Sequence, residues 1–138
     1  MNAISVQDTL VFVMVAISAV DRDMEETEML RIGNVVKTLP IFDGYNSDQL
    51  VNAAKTCRDI LQEDEGLDTI LGFAAALPDN LHQTAYVLAA EIAAADLNVS
   101  AEEVRLLQLL RGHLSVDKLT CAALELAARA RQDRKSVV

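Results

Sequence analysis

Two sets of oxygen-bearing side chains recur in this chain with one spacing: Asp21, Asp23 and Glu28, then Asp96, Asn98 and Glu103, each 75 positions further on. Carboxylates and amide carbonyls are ligands for hard divalent cations such as calcium or magnesium. Several acids in one short loop also repel one another, and a bound cation relieves that repulsion. These six residues are the candidate metal ligands, and a divalent cation is the one cofactor the sequence suggests.

An EF-hand does not fit them. Asp96-x-Asn98-x-Ser100-x-Glu102 copies the early ligand positions, but position six is Ala101 where the sharp turn needs Gly, and position twelve is Leu107 where a bidentate Glu is needed. Glu26 and Ile32 stand at those two positions in the first copy. A plain structural use competes with metal binding. Ser100-x-x-Glu103 reads as a capping box, and Glu25, Glu26 and Glu28 fall in the first turn of a helix, where negative charge is favourable. Asp21 and Asp96 are harder to explain this way, because an acid at a helix C-terminus opposes the helix dipole.

Catalytic arrangements are thin. His82 stands at a helix start without a matching partner, and His113 at a helix C-terminus, where an imidazolium is favourable for structural reasons alone. The chain carries no HExxH, no nucleophile elbow and no phosphate-cradling glycine loop, so a non-enzymatic protein is expected. Glu91, on an otherwise apolar helix, is expected either on the solvent face or as an extra ligand pointing toward the acidic loops.

The elements that position these residues repeat as well. VFVMVAISAVDRDMEETEMLRIGNVVKTL from Val11 to Leu39 matches YVLAAEIAAADLNVSAEEVRLLQLLRGHL from Tyr86 to Leu114, and SDQLVNAA from Ser47 matches VDKLTCAA from Val116 at an offset of 69. The linker between second and third elements is then six residues longer in the first copy. The spacing of apolar residues predicts seven helices: Val6–Val20, Glu25–Leu39, Ser47–Gln62, Leu67–Leu77, a fifth capped by Asp79 or Asn80 and running to Ala95, Ala101–His113, and a seventh opened by Ser115 or Val116 that fades near Ala130. Close packing of a neighbouring helix is expected at Gly72. The expected fold is all-α, a single domain over 1–138 in which two three-helix halves, about 6–62 and 80–130, pack about an approximate two-fold axis and are joined by an extra helix.

Charge and cysteines narrow the setting. A formal net charge of −9 argues against unaided nucleic-acid binding, since a phosphate backbone rewards clustered Lys and Arg. Arg129, Arg131, Arg134 and Lys135 form a small basic tail, read as a solvated helix end or as a contact for an acidic partner or lipid headgroups. Cys57 and Cys121 are not in a CxxC arrangement and sit among apolar neighbours, so buried free thiols in a reducing compartment are expected. The apolar run Leu10–Val20 follows no Lys or Arg and is too short for a bilayer span, which fits a cytoplasmic protein. A protein partner is expected; self-association and peripheral membrane attachment through a partner are left open.

AVDRDMEETE from Ala19 and AADLNVSAEE from Ala94 resemble the duplicated A-D-G-x-hydrophobic-S-x-x-E signature of the TerB-like family, which includes a tellurite-resistance protein and the N-terminal region of some membrane-anchored J-domain co-chaperones. The likeness spans the first helix to the seventh. It implies two similar helical halves, a cytoplasmic role in stress or metal response, and a divalent-cation site that carries over to Asp21, Glu28, Asp96 and Glu103. The chain departs from the signature where Arg22 and Leu97 replace Gly. If that position needs a positive φ, a bulky residue there costs more than about 1 kcal/mol, and the loop is either rebuilt or carries the strain. Tellurite, an anion, is a poor direct ligand for acidic loops.

Overall fold

A computed structural model describes residues 4–20, 26–95 and 100–132, apart from the side chain of Thr27. Among these residues the protein is all-helical and has no strand. The helices are α1 (Val6–Ala19), α2 (Glu26–Thr38), α3 (Ser47–Leu61), α4 (Gly66–Ala75), α5 (His82–Ala95), α6 (Ala101–His113) and α7 (Lys118–Gln132), with short 3-10 turns at Pro40–Phe42 and Asp79–Leu81. Among the described residues no helix is long and apolar enough to cross a membrane.

α1 is the centre. Every residue from Thr9 to Ser18 is buried, so the helix is apolar on all sides and must be surrounded. It packs on α3, α4 and α5, and α5 in turn packs on α7. Smaller contacts join α1 to α2 and α6, and α5 to α6 and α2. α4 lies across α1, α3 and α6, where Phe73 meets Phe12 with ring centroids 6.0 Å apart.

Local chemistry fixes most helix starts. Ser5 accepts from the Asp8 amide, Asn46 and Gln49 form a reciprocal capping box, and Ser100 and Glu103 form another. α7 begins where Asp117 accepts from the Thr120 amide (3.2 Å) and hydroxyl (2.6 Å), two residues beyond the start that the sequence match suggests. Lys118 therefore lies 71 positions after Ser47, not 69. Residues 39–46 connect α2 to α3 and 114–117 connect α6 to α7, so the first linker is longer by four residues rather than six.

The expectation for Gly72 is corrected. That position is exposed and a Cβ there would meet nothing within 4 Å. The close approach is at Gly66 instead, where a Cβ would lie 1.9 Å from the Ile60 carbonyl oxygen. Glu65 just before it adopts φ 59°, the left-handed region, to turn α3 into α4.

Candidate functional site

Of the six candidate ligands the described structure contains two; Asp21, Asp23, Asp96 and Asn98 lie outside it. Glu28 sits in the first turn of α2, half-buried, with its Oε2 shielded from solvent. Glu103 is 9 % exposed at the third position of α6. Its Oε1 accepts from the Ser100 amide (3.0 Å) while Ser100 Oγ accepts from the Glu103 amide (3.1 Å), so the capping role read from the sequence is present. Among the described residues no three His, Cys, Asp or Glu side chains are grouped as a metal site would require. Ile32 and Leu107, at position twelve of the two EF-hand comparisons, are core residues.

Glu91 is half-buried rather than on an open solvent face, and the acidic loops it was otherwise expected to face lie outside the described residues. Its Oε1 lies 3.2 Å from Arg131 Nε, an ion pair that ties α5 to α7. The basic tail is thus partly engaged within the fold, while Arg129 has no ion-pair partner among the described residues. Arg134 and Lys135 lie outside them.

The densest polar constellation was not read from the sequence. The hydroxyl of Tyr86, a fully buried residue of α5, donates to Glu125 Oε2 on α7, and Arg111 Nη1 on α6 lies 3.6 Å from the same oxygen. Burial, the hydrogen bond to the carboxylate and its negative charge together hold the Tyr86 phenol protonated well above the usual range. Beside this triad is a cleft of about 130 Å³, lined by Ala90, Ala94, Val104 and Leu107 and by the charged Arg111, Glu125 and Arg129. The positions that match the triad in the first copy are Val11, Ala54 and Val36, all buried and apolar. Ala90 and Ala128 stand where the first copy has Val15 and Cys57, so the second copy is both more polar and less filled at this place. The one available signal was Glu125, an acid interrupting the apolar face of the last helix.

His82 has a structural duty. One ring nitrogen, Nδ1, accepts from the Ser115 amide (2.8 Å) and Nε2 faces the Leu77 carbonyl (2.8 Å), which makes it the donor and fixes a neutral tautomer. The buried ring thereby joins the end of α4 to the α6–α7 connection. His113 Nδ1 lies 2.9 Å from the Leu109 carbonyl on the surface of α6. Both cysteines are free and buried, as expected; burial pushes the Cys57 thiol up to about 12 and moves Cys121 in the same direction. Neither is a reactive thiolate.

α7 presents a second feature. Cys121, Leu124, Glu125 and Ala128 turn inward, leaving Leu119 80 % and Leu126 62 % exposed on the opposite face together with Ala122, Ala123 and Ala130. Four of these outward residues, Leu119, Ala122, Ala123 and Leu126, are the ones that the 69-residue match aligns with the buried Leu50, Ala53, Ala54 and Cys57 of α3. Comparison with known proteins gave no match to a protein family, to a curated protein or to a solved structure.

Proposed function

We propose that this chain is a non-enzymatic binding module of the TerB-like kind that acts through protein contact in a stress response. The packing supports the duplicated architecture this requires: α1 lies on α3 as α5 lies on α7, α1 meets α5 across the middle, and the contact of α1 with α6 is matched by that of α5 with α2. The observation that carries the functional part is the outward face of α7. Two leucines and three alanines in one stripe, flanked by Lys118 on one side and Arg129 beside it, form an apolar strip with a basic edge on a chain of net charge −9. Such a strip suits an amphipathic partner helix that offers leucines and flanking carboxylates.

A photo-crosslinking side chain placed at 119 or 126, with position 55 on the polar face of α3 as control, tests this reading in cells. The expected result is one discrete adduct from 119 and 126, absent from 55, whose mass-mapped segment is an acidic amphipathic helix. Adducts scattered over many proteins, or equal from all three positions, would sink it.

A second reading keeps the divalent cation. Glu28 and Glu103 occupy matching first-turn positions at the ends of the loops that carry Asp21, Asp23, Asp96 and Asn98. Calcium, magnesium, manganese and zinc are titrated against thermal unfolding of the parent chain and of Asp21→Asn and Asp96→Asn. A true ligand at about a hundredfold excess over Kd stabilises the parent by roughly 2.7 kcal/mol, and both variants lose that gain. An unchanged melting temperature with all four metals removes the cation from the proposal.

A further inference from the structure

We infer that the cleft between α5, α6 and α7 is a binding site for a carboxylate attached to a compact apolar group, about the size of a benzene ring or a leucyl side chain. The size follows from the volume. About 130 Å³ is close to the roughly 150 Å³ of an apolar cavity that takes one benzene molecule. The apolar part follows from the side chains of Ala90, Ala94, Val104 and Leu107, which offer no polar atom to a guest.

The anion follows from the rim. Arg111 and Arg129 face one carboxylate, Glu125, and that carboxylate is already engaged by Arg111 and by the Tyr86 hydroxyl. Arg129 is left without an ion-pair partner among the described residues, so the rim carries one cation more than it satisfies internally, on a protein that is strongly acidic elsewhere. Arg is suited to take a carboxylate with two parallel hydrogen bonds.

Fold stability does not account for the arrangement. Matching positions in the first copy are filled by Val11, Val15, Val36, Ala54 and Cys57, a buried apolar set with no charge to satisfy. Replacing such a set by a Tyr-Glu-Arg triad next to an alanine-lined gap forfeits packing. A ligand that fills the gap and meets Arg129 restores it. The cleft shares Arg129 with the basic edge of the outward strip of α7 and none of the strip's apolar residues, so Ala90→Leu tests the cleft without touching the strip.

The chemistry has two sources, a free small acid or the C-terminus of a peptide that ends in an apolar residue. The probes are 3-phenylpropionate, its neutral amide, and a short acetylated peptide ending in Phe as the free acid or the C-terminal amide, each titrated into the whole chain by amide-resolved NMR. The expected result is saturable binding of at least one acid with Kd near or below about 1 mM, shifts centred on Ala90, Leu107 and Arg129, and at least tenfold weaker binding of the amides. Tighter binding of the peptide acid identifies a protein C-terminus as the guest; tighter binding of the free acid identifies a metabolite-sized one. Ala90→Leu, which fills the gap, abolishes binding. Arg129→Gln, an exposed change that leaves folding alone, weakens it about tenfold. No saturation up to about 10 mM with either acid, equal binding of acid and amide, or binding indifferent to Arg129→Gln would overturn the assignment.

Discussion

α3 and α7 begin with the same kind of cap and turn similar residues inward, yet their outer faces differ. Aligned by helix start, α3 exposes Asp48, Val51, Asn52, Lys55 and Asp59 where α7 exposes Leu119, Ala122, Ala123, Leu126 and Ala130. An inner face must fill space against α1 or α5, so it is constrained alike in both. An outer face is constrained only by what it meets. The difference teaches that the two halves diverge where folding leaves them free, on the outer face, and again at the polar triad and cleft on the inner side of α7.

Four tests break or sharpen this comparison. The largest effect is expected at the register itself. Leu124→Glu places a charge against the core and should destabilise by about 2–3 kcal/mol, while Leu126→Glu should stay within about 0.5 kcal/mol by urea unfolding. Were the two reversed, the 69-residue alignment would be the true one and the outward strip would vanish.

His82 and Gln7 occupy matching positions and both reach the connection that follows the next helix. Gln7 Nε2 donates to the carbonyls of Ile41 (3.0 Å) and Asp43 (3.3 Å), partly in solvent, whereas His82 is buried. His82→Ala strands the Ser115 amide and the Leu77 carbonyl and should cost about 2 kcal/mol; Gln7→Ala should cost about 0.5–1 kcal/mol. Equal losses on chemical unfolding would mean that burial does not separate the two halves here.

Alkali probes the buried thiols and phenols. Cys57 is raised in the fold from 9.0 to about 12, so the unfolded chain loses this proton first. Its contribution is fully present below about pH 9 and falls by roughly 1.4 kcal/mol per pH unit between 9 and 12. Tyr45, held protonated by burial and by donating to Asp8 Oδ1 (2.6 Å), adds to the loss at higher pH, as does Tyr86. Unfolding of Cys57→Ala followed between pH 8 and 10.5 should show a shallower decline than the parent, and an identical slope would refute the assignment to this thiol.

The smallest effect is a gain. Gly72→Ala should stabilise by about 0.5–1 kcal/mol, because the site is helical, exposed and open. Gly66→Ala is the control that must not behave so, since its Cβ meets the Ile60 carbonyl.

Much of the helical layout was legible because each boundary carries its own chemistry. Ser100 and Glu103 spell a capping box, Asn46 spells a cap, and Pro40 and Pro78 stand where chains leave helices. Predicted and observed ends agree within about two residues, and only in α7 does a shift of that size change which residues face inward. That register escaped because α7 has Leu and Ala on both faces, so the apolar spacing fits either one, and only the Asp117 cap decides. Pairings remote in sequence escaped as well: Glu91 with Arg131, Tyr86 with Glu125, His82 with Ser115. Nothing local marks a partner more than 30 residues away. For the metal ligands, Glu103 was legible as a cap, and the four loop residues beyond the described structure stay where the sequence left them.

α1 is sheathed by elements that lie as far along the chain as α6. A ribosome therefore releases this buried segment before its cover, and its last neighbour starts more than eighty residues later. During that interval ten adjoining side chains lack shelter, and the nascent chain needs either a chaperone or transient cover from α3 and α4. A fragment ending after α3 would inherit the same exposure permanently, so cutting the protein between its two copies should yield an aggregate rather than half a working module.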